Sequence, residues 1–361
     1  MIEKDFILKN SNISDLNHGT FTWQSPSNIA LVKYWGKSEP QIPKNTSLSF
    51  TLNNCHTSTT LEFSKKEVTS DNFVIEVIFE GKIKEDFKPK ILNFFKRIEK
   101  YVPFITEYNF VIKTDNSFPH SSGIASSASG MSALALCLMS IEKELNSEIS
   151  NEYFIQKASF LARLGSGSAA RSLEGELVVW GDHKDIQNSS NLYGIKFPFK
   201  VHENFKNYQD TILLVDKGEK QVSSSVGHNL MIDHPFAKNR FDQANNNITK
   251  LVKILQNGDL NAFVNLVESE ALTLHAMMMT SNPYFILMKP NTLKIIEKIW
   301  AYRKKNNSNI CFTLDAGANV HVLFPEKEKE TINTFIANDL IAFCQNNQYI
   351  CDNVGLGARQ L

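Results

Sequence analysis

Apolar and polar residues alternate over short segments in the first half of the chain, which is the pattern of half-buried strands. The segment FVIEVIFEGKI (73–83) predicts a strand that turns at Glu80 and Gly81, and YNFVIKTDN predicts another strand before a serine-rich loop. The run GELVVWGD (175–182) is apolar at its centre and predicts a short buried strand. We therefore expect strands and turns, followed by helices, in this half.

The pattern restarts after the segment NLYGIKFPF. A strand is expected at DTILLVD (210–216), and helical apolar spacing predicts long helices over 241–255 and 260–278. Near the end, NICFTLDAGANVHVLF predicts a strand, a glycine turn and a strand, and KETINTFIANDLIAFCQNN predicts an amphipathic helix. We predict an α+β protein in two lobes, residues 1–195 and 196–361.

Composition is ordinary for a globular chain of 361 residues, with 42% hydrophobic and 21% charged residues. Neither a disordered nor a fibrous class fits these values. Lysine plus arginine and aspartate plus glutamate balance at 38 each, so the chain lacks the positive charge of a duplex-binding protein. We expect no nucleic-acid partner, and any bound anion should be held locally.

The five cysteines form no CxxC pair, and an odd number scattered along a long chain fits reduced thiols and a cytoplasmic protein. No run of about 18 apolar residues occurs and acids stand near the start, so we expect neither a membrane nor a targeting segment. The nine histidines show neither HExxH nor Cys/His metal spacing. Most of them are expected to be ordinary surface or core residues.

The segment SFPHSSGIASSASGMSALAL (117–136) contains seven serines and none of Lys, Arg, Asp or Glu before it becomes apolar. Backbone N–H groups at a helix N-terminus lack intrahelical partners and, with the helix dipole, attract phosphate where side chains are small. Gly123 allows this approach, and the hydroxyls of Ser126 and Ser127 can contact phosphate or a phosphate-bound Mg²⁺. The lysine of GxxxxGK[ST] is missing, so this is no P-loop. A helix that merely packs closely is the alternative.

A second motif, SPSNIALVKYWGK (25–37), is strand-like but carries two lysines, an asparagine and a Tyr-Trp pair. Lys33 falls in an apolar setting, where an unpaired ammonium is costly, so it should face a carboxylate or an anionic ligand. The alternative is an edge-strand lysine whose ammonium reaches water.

A third motif, ARLGSGSAARSLEGE (162–176), offers backbone amides and the hydroxyls of Ser166 and Ser168. Arg171 adds a planar guanidinium suited to a carboxylate or phosphate. A flexible turn with a surface arginine is the alternative. Two serine and glycine anion sites in a neutral chain indicate two phosphorylated ligands, and a nucleotide is one candidate.

These motifs, in this order and together with IPKNTSLSFTL and FTLDAGANVHVLF, resemble the GHMP kinase superfamily and, within it, the mevalonate diphosphate decarboxylase family. The resemblance extends from residue 25 to about residue 324. It implies a two-lobed GHMP kinase fold, with mixed sheets covered by helices and an active site between the lobes. It also implies an ATP- and Mg²⁺-dependent enzyme that converts mevalonate 5-diphosphate to isopentenyl diphosphate, and a homodimer.

The same resemblance implies roles for individual residues. Asp315 would be the catalytic carboxylate at the substrate's 3-hydroxyl, with Lys33 as its cationic neighbour. Arg171 would act with Asn28 and Ser168 on the C1 carboxylate. The groups expected on the 5-diphosphate are those of Tyr34, Lys37 and Ser166. The ATP phosphate loop would comprise Pro119, Ser122, Gly123, Ala125, Ser126 and Ser127, with Ser127 near Mg²⁺.

The chemistry calls for such groups, since a tertiary alcohol is a poor nucleophile and a positioned carboxylate base contributes about 10²–10⁴-fold. An isolated Asp-Ala-Gly at Asp315 would more often be a simple turn. The family's additional diphosphate-binding arginine has no clear counterpart, and Lys88 or Lys90 could replace it. A phosphomevalonate decarboxylase, a mevalonate 3-kinase-like enzyme and, more distantly, a non-catalytic nucleotide-binding protein therefore stay open as alternatives.

Overall fold

The structure is a computed structural model that describes residues 1–8, 16–68, 72–119, 124–218 and 224–361. Its strands are β1 (His18–Val32), β2 (Lys37–Ser38), β3 (Ile42–Pro43), β4 (Ser47–Lys65), β5 (Val74–Phe79), β6 (Lys82–Ile83), β7 (Tyr108–Asn116), β8 (Leu177–Trp180), β9 (Gly194–Lys196), β10 (Gln209–Leu213), β11 (Cys311–Thr313), β12 (Val320–Phe324), β13 (Tyr349–Asn353) and β14 (Arg359–Gln360). Its helices are α1 (Lys88–Ile98), α2 (Ser126–Leu145), α3 (Asn151–Gly165), α4 (Ser224–Asn229), α5 (Ala237–Asn257), α6 (Leu260–Met279), α7 (Pro290–Asn306) and α8 (Lys329–Phe335).

The larger sheet belongs to the first lobe and has the order β14-β1-β4-β7-β5-β6. The long strand β4 pairs with β7 along one half and with β8 along the other, and β8 pairs in turn with β9. Only the β5–β7 pair among these is parallel. Two long strands, β1 and β4, thus run through the sheet and carry residues to the centre of the molecule.

The second sheet, β11-β12-β10-β13, belongs to the second lobe and is antiparallel throughout. A bridge between Leu52 and Val354 ties it to β4, and β14 then returns to pair with β1. The last residues of the chain therefore lie in the sheet of the first lobe.

Apolar residues form three large cores. Helices α1, α2 and α3 pack on one face of the first sheet, where Phe95, Phe110 and Phe160 are buried. Residues of both sheets meet α5 and α6 in a second core that includes Phe50 and Phe263. Helices α7 and α8 cover the second sheet. The second core joins the lobes, because burying apolar surface of both sheets against the same helices holds them together.

The predicted α+β class and two-lobed architecture are confirmed. The hairpin predicted at Glu80 and Gly81 is present, with both residues at positive φ, and the two long helices appear as α5 and α6. The prediction of a single helix near the end of the chain is wrong in part. The observed helix α8 ends at Phe335, and a π-helical and then a 3₁₀ segment follow it. Its last groups bond to neighbours instead of their own helix, as when Gln345 N–H donates to Leu214.

Candidate active site

Lys33 and Asp315 form an ion pair between the lobes, with Lys33 Nζ 2.9 Å from Asp315 Oδ1. Lys33 follows the end of β1, and Asp315 stands in the turn after β11. The lysine side chain is 2% exposed, whereas that of the aspartate is 29% exposed. Burial lowers the pKa of Lys33, and the charge of Asp315 opposes this shift. The pair thus offers a carboxylate that a ligand can reach beside a cation that water hardly reaches.

The backbone on each side of this pair is held by α6. Glu270 accepts a hydrogen bond from the main-chain N–H of Lys33 at 2.9 Å. His275 Nε2 lies 3.1 Å from the main-chain oxygen of Asp315 and donates to it, since a carbonyl can only accept. Sequence reasoning missed Glu270 and gave His275 no role. The available signal was an acid on the buried face of a predicted helix, next to Ala271 and Leu274.

Arg171 is buried at the end of a 3₁₀ turn (Gly167–Arg171) and points at serines of β4. Its Nε donates to Ser49 at 2.6 Å and one terminal nitrogen donates to Ser47 at 2.7 Å. Its guanidinium also lies over the ring of Trp180, 5.6 Å from the centroid. Burial lowers the pKa of Arg171 to about 10, against the opposing charge of Asp315. These serines stand two apart in SLSF, so both face the same side of β4.

Asn28 and Ser168 lie next to this arginine turn. The Asn28 amide nitrogen donates to the Ser168 carbonyl at 3.2 Å and to the Ser172 hydroxyl at 2.8 Å. Both hydrogen bonds join β1 to the segment that ends in Arg171. The structure therefore places Asn28, Ser168 and Arg171 close together, and these are the residues that the family resemblance assigns to the C1 carboxylate.

Tyr34 lies between Trp180 and His228, with ring centroids 4.7 and 4.2 Å away. Its hydroxyl is buried and has no hydrogen-bond partner within the described part of the chain. Burial raises the pKa of Tyr34 well above its ordinary value. A side chain at Gly167 would meet this hydroxyl at 2.8 Å, so the glycine permits the close approach. A buried phenol without a partner is costly, which favours a polar ligand here.

Lys37 is on the short β2 strand and is engaged by its own hairpin. Its Nζ donates to the Gln41 side-chain oxygen at 2.9 Å and lies 3.2 Å from the Glu39 carboxylate. Any phosphate that reaches Lys37 must compete with this carboxylate. Compared with Lys37, the Tyr34 hydroxyl is better able to bond to a ligand, since it has no hydrogen-bond partner among the described residues.

The phosphate-loop prediction is described only in part, because Ser122 and Gly123 lie outside the described residues. Pro119 is exposed before the gap, and Ala125 adopts a left-handed conformation (φ 47°) immediately before α2. Within the described ranges no side chain caps α2, so its first N–H groups have no side-chain acceptor there. Ser127 Oγ lies 3.3 Å from Ser166 Oγ. This contact brings the first and third motifs together at one place.

A cavity of about 210 Å³ opens beside the start of α2. Ser126 and Ser127 form one wall and Lys90 of α1 another, with apolar side chains between them. Lys90 therefore lies beside the start of α2, whereas the half-buried Lys88 pairs with Glu85 at 3.7 Å. A lining that combines hydrogen-bonding groups with apolar side chains suits a nucleoside attached to phosphates.

Metal binding by protein side chains alone is not supported, since the described residues contain no cluster of three His, Cys, Asp or Glu side chains able to hold an ion. The hydroxyl of Ser127 beside an uncapped helix start fits a magnesium ion carried by phosphates, which usually keeps several waters and few protein ligands. Among the helices of the described ranges, none is long and apolar enough to span a bilayer.

The two-lobed α+β fold is that of the GHMP kinase class. A family model for the diphosphomevalonate decarboxylase-like N-terminal domain matches residues 25–191. A model for the mevalonate 5-diphosphate decarboxylase C-terminal domain matches residues 211–354. Together they cover most of the chain, which belongs to the mevalonate diphosphate decarboxylase family.

Relatives and solved structures agree with this family. The diphosphomevalonate decarboxylase of Ganoderma lucidum is 27% identical over 335 residues, which is 87% of this chain and 81% of that protein. The mevalonate diphosphate decarboxylase from Enterococcus faecalis superposes with a TM-score of 0.79 at 25% identity, over 95% of this chain and 99% of that one. A structure described as MDDEF with MVAPP, AMPPCP and magnesium gives 0.80 at 26% identity, with the same coverage.

Proposed function

We propose that the protein catalyses the ATP-dependent decarboxylation of mevalonate 5-diphosphate to isopentenyl diphosphate, ADP, phosphate and CO₂, a step of isoprenoid biosynthesis. The observation that carries the proposal is the Lys33–Asp315 pair, whose carboxylate is open to the cleft while its lysine is buried. Family membership supports the substrate, and the named relatives are diphosphomevalonate decarboxylases.

Asp315 acts first, on the substrate's tertiary 3-hydroxyl. Its carboxylate orients this hydroxyl and takes its proton as the oxygen attacks the γ-phosphorus of ATP, and the bond from that phosphorus to the β-phosphate oxygen breaks. Lys33 stabilises the carboxylate and the charge on the transferred phosphoryl group. Because the acceptor is a poor nucleophile, its position relative to Asp315 decides the rate.

Decarboxylation follows from the 3-phosphorylated compound. The C3–O bond breaks, and its electron pair leaves with phosphate. The C1–C2 electron pair then forms the C2=C3 double bond as CO₂ departs. Arg171 holds the C1 carboxylate before it is lost, with Asn28 and Ser168 beside it. Tyr34 and Trp35 keep water from the positive charge that develops at C3.

The 5-diphosphate is assigned to Tyr34, Lys37 and Ser166, and the ATP phosphates to the start of α2. The cavity lined by Ser126, Ser127 and Lys90 is proposed for the nucleoside. Magnesium would be held by the phosphates and Ser127, and it supplies charge neutralisation during phosphoryl transfer.

We also propose a homodimer in a reducing, cytoplasmic compartment, with the lobe boundary near residue 195. All five cysteines are unpaired thiols in the structure, four of them buried, which supports a reducing environment. Light scattering of the purified protein tests the dimer directly.

The decisive experiment compares mevalonate, its 5-phosphate and its 5-diphosphate, each with ATP and Mg²⁺, while ADP and CO₂ are recorded together. Equal amounts of ADP and CO₂ from the diphosphate alone are expected. The same result from the monophosphate would change the substrate to mevalonate 5-phosphate. ADP without CO₂ would make the protein a kinase and contradict the decarboxylase proposal.

A further inference from the structure

Helix α6 contacts the main chain at both members of the Lys33–Asp315 pair. Glu270 and His275 are separated by little more than one helical turn, and both are buried. Glu270 bonds to the backbone that carries the lysine, and His275 bonds to the backbone that carries the aspartate. The two residues of the pair come from different lobes, so one helix spans the point where the lobes meet.

Glu270 is itself held from several directions. Both terminal nitrogens of Arg240 on α5 donate to its carboxylate, at 3.0 and 2.6 Å, and Asn247 donates at 2.6 Å. Arg240 also donates to the main-chain oxygen of Lys33 at 3.3 Å, and Asn45 donates to the same oxygen at 3.0 Å. The peptide groups on both sides of Lys33 are thus bound to a charged network with no exposed side chain at its centre.

His275 fixes the other side of the pair. It donates to the Asp315 carbonyl through Nε2, which requires the neutral ring with its proton on that nitrogen or the charged ring. Burial lowers the pKa of His275 to about 4, so the ring is neutral near pH 7. Asp315 stands in a turn in which Gly317 N–H bonds back to the Asp315 oxygen at 2.7 Å. Farther along, Thr292 donates to the Ala318 carbonyl and Asn319 accepts from the Asp216 N–H. The His275 bond therefore anchors the turn at Asp315 itself.

We infer that α6 sets the geometry of the Lys33–Asp315 pair, with Glu270 and His275 acting as positioning residues for the reaction proposed above. Neither needs to touch the substrate. Glu270 fixes where the lysine leaves β1, and His275 fixes where the aspartate carboxylate stands relative to it. A displacement of about 1 Å at such a pair costs up to about 10²-fold in rate, so these anchors control turnover while leaving substrate binding nearly unchanged.

The first test compares two buried histidines. His234 Nε2 also lies 3.1 Å from a main-chain oxygen of α6, that of Met277, but contacts neither member of the pair. We expect His275→Leu and His234→Leu to lower the melting temperature similarly. Only His275→Leu should lower kcat, by about 10–100-fold, with KM for ATP and for mevalonate 5-diphosphate within about threefold. His275→Gln, whose amide can donate to the same oxygen, should recover most of kcat.

The pH dependence of kcat supplies a readout that simple destabilisation would not move. The charged and titratable groups near Asp315 are Lys33 at the end of β1, Arg171 from the 3₁₀ turn and His275 from α6. If the aspartate moves away from Lys33, its carboxyl loses a neighbouring cation and its pKa rises. The acidic limb of kcat should then move to higher pH in His275→Leu and stay in place in His234→Leu.

The role of Glu270 is tested in variants that lack both charges of the buried Arg240–Glu270 pair. Glu270→Gln alone would leave Arg240 buried and unpaired, so each variant also carries Arg240→Met. Glu270→Gln with Arg240→Met keeps an oxygen for the Lys33 N–H and is the reference variant, since both double variants lose the Arg240 bond to the Lys33 carbonyl. Glu270→Leu with Arg240→Met removes that oxygen, and we expect a further loss of about tenfold or more.

Wild-type protein that turns over none of the three mevalonate compounds would refute the proposed function and this inference together. Active wild-type protein, with His275→Leu and His234→Leu equal in kcat and in acidic limb, would refute the inference alone. Equal kcat in the two double variants would remove Glu270 from it.

Discussion

Two buried lysine–carboxylate pairs behave very differently in this molecule. In the helical layer of the first lobe, Lys157 of α3 lies 2.7 Å from Glu142 of α2, and the two side chains are 0% and 1% exposed. Lys157 also donates to the Tyr101 carbonyl at 2.9 Å. In the cleft, Lys33 is equally buried, but its partner Asp315 remains 29% exposed.

The difference separates a structural pair from a functional one. Burial raises the pKa of Glu142 and lowers that of Lys157, so each charge is tolerated only because of the other. No ligand can reach either group. Asp315 shares the same kind of partner but keeps a face toward the cleft, where a hydroxyl can approach. Exposure of one partner, and not the ion pair itself, identifies the site.

The largest expected effect contrasts the two carboxylates. Asp315→Asn removes the proposed base and should lower kcat by about 10³-fold, within the usual range for general base catalysis. ATP affinity, measured by calorimetry, should change by less than about threefold. Glu142→Gln is the control, and it should lower stability while the folded enzyme keeps most of its kcat. Unchanged turnover in Asp315→Asn would remove this residue from the mechanism.

Replacing the two lysines sharpens the same contrast. Lys33→Met should lower kcat by about 10²-fold, since the transferred phosphoryl group loses a neighbouring cation. Lys157→Met leaves Glu142 buried without a counter-charge and should cost about 3–5 kcal/mol of unfolding free energy. Denaturant unfolding and steady-state kinetics on both variants separate the effects. A comparable loss of kcat in folded Lys157→Met would contradict the division into structural and functional pairs.

The next contrast concerns Arg171, whose side chain donates to two serines of β4 and to no carboxylate among the described residues. Arg171→Lys keeps a positive charge but loses the planar guanidinium that contacts Ser47 and Ser49. We expect kcat/KM for mevalonate 5-diphosphate to fall about 10–100-fold, which matches the roughly 1.5–3 kcal/mol of one lost hydrogen bond to a charged group. KM for ATP serves as the internal control. An equal rise in both KM values would argue against a role at the substrate carboxylate.

The smallest expected effect is on acid stability. His228 packs against Tyr34 and Trp35 and accepts a hydrogen bond from Gly36 N–H, and burial lowers its pKa to about 3. The unfolded chain takes up this proton near pH 6.5 and the folded chain does not, so stability is lost as pH falls below 6.5. Linkage gives roughly 2 kcal/mol at pH 5.

His228→Gln retains an acceptor for Gly36 and should lose less stability between pH 7 and pH 5 than the wild type. Helices α2 and α3 of the first lobe contain no histidine, so they contribute no comparable loss of stability at acidic pH. Parallel stability curves for the wild type and His228→Gln over this range would show that the ring does not titrate on unfolding.

Much of the fold follows from local pattern. The pattern of apolar and polar residues predicted α5, α6 and the turn at Glu80 and Gly81. Such elements can be predicted locally because helices and hairpins depend on residues close in sequence. The segment after Phe335 departs from the predicted α-helix, since its last hydrogen bonds are made with neighbouring elements. The order of strands in the two sheets, including the return of β14 to β1, had no local signal.

The sequence by itself determined which kinds of groups the site contains: small residues at the start of α2, a lysine in an apolar strand, and the motifs that carry the family resemblance. Only the tertiary structure decided that Lys33 meets Asp315 across 282 positions of chain and that Glu270 and His275 hold both from one helix. A motif consists of residues that are contiguous in the sequence. A buried charge needs an oppositely charged or hydrogen-bonding partner, and tertiary packing decides which residue that is. That partner has no fixed spacing in the sequence.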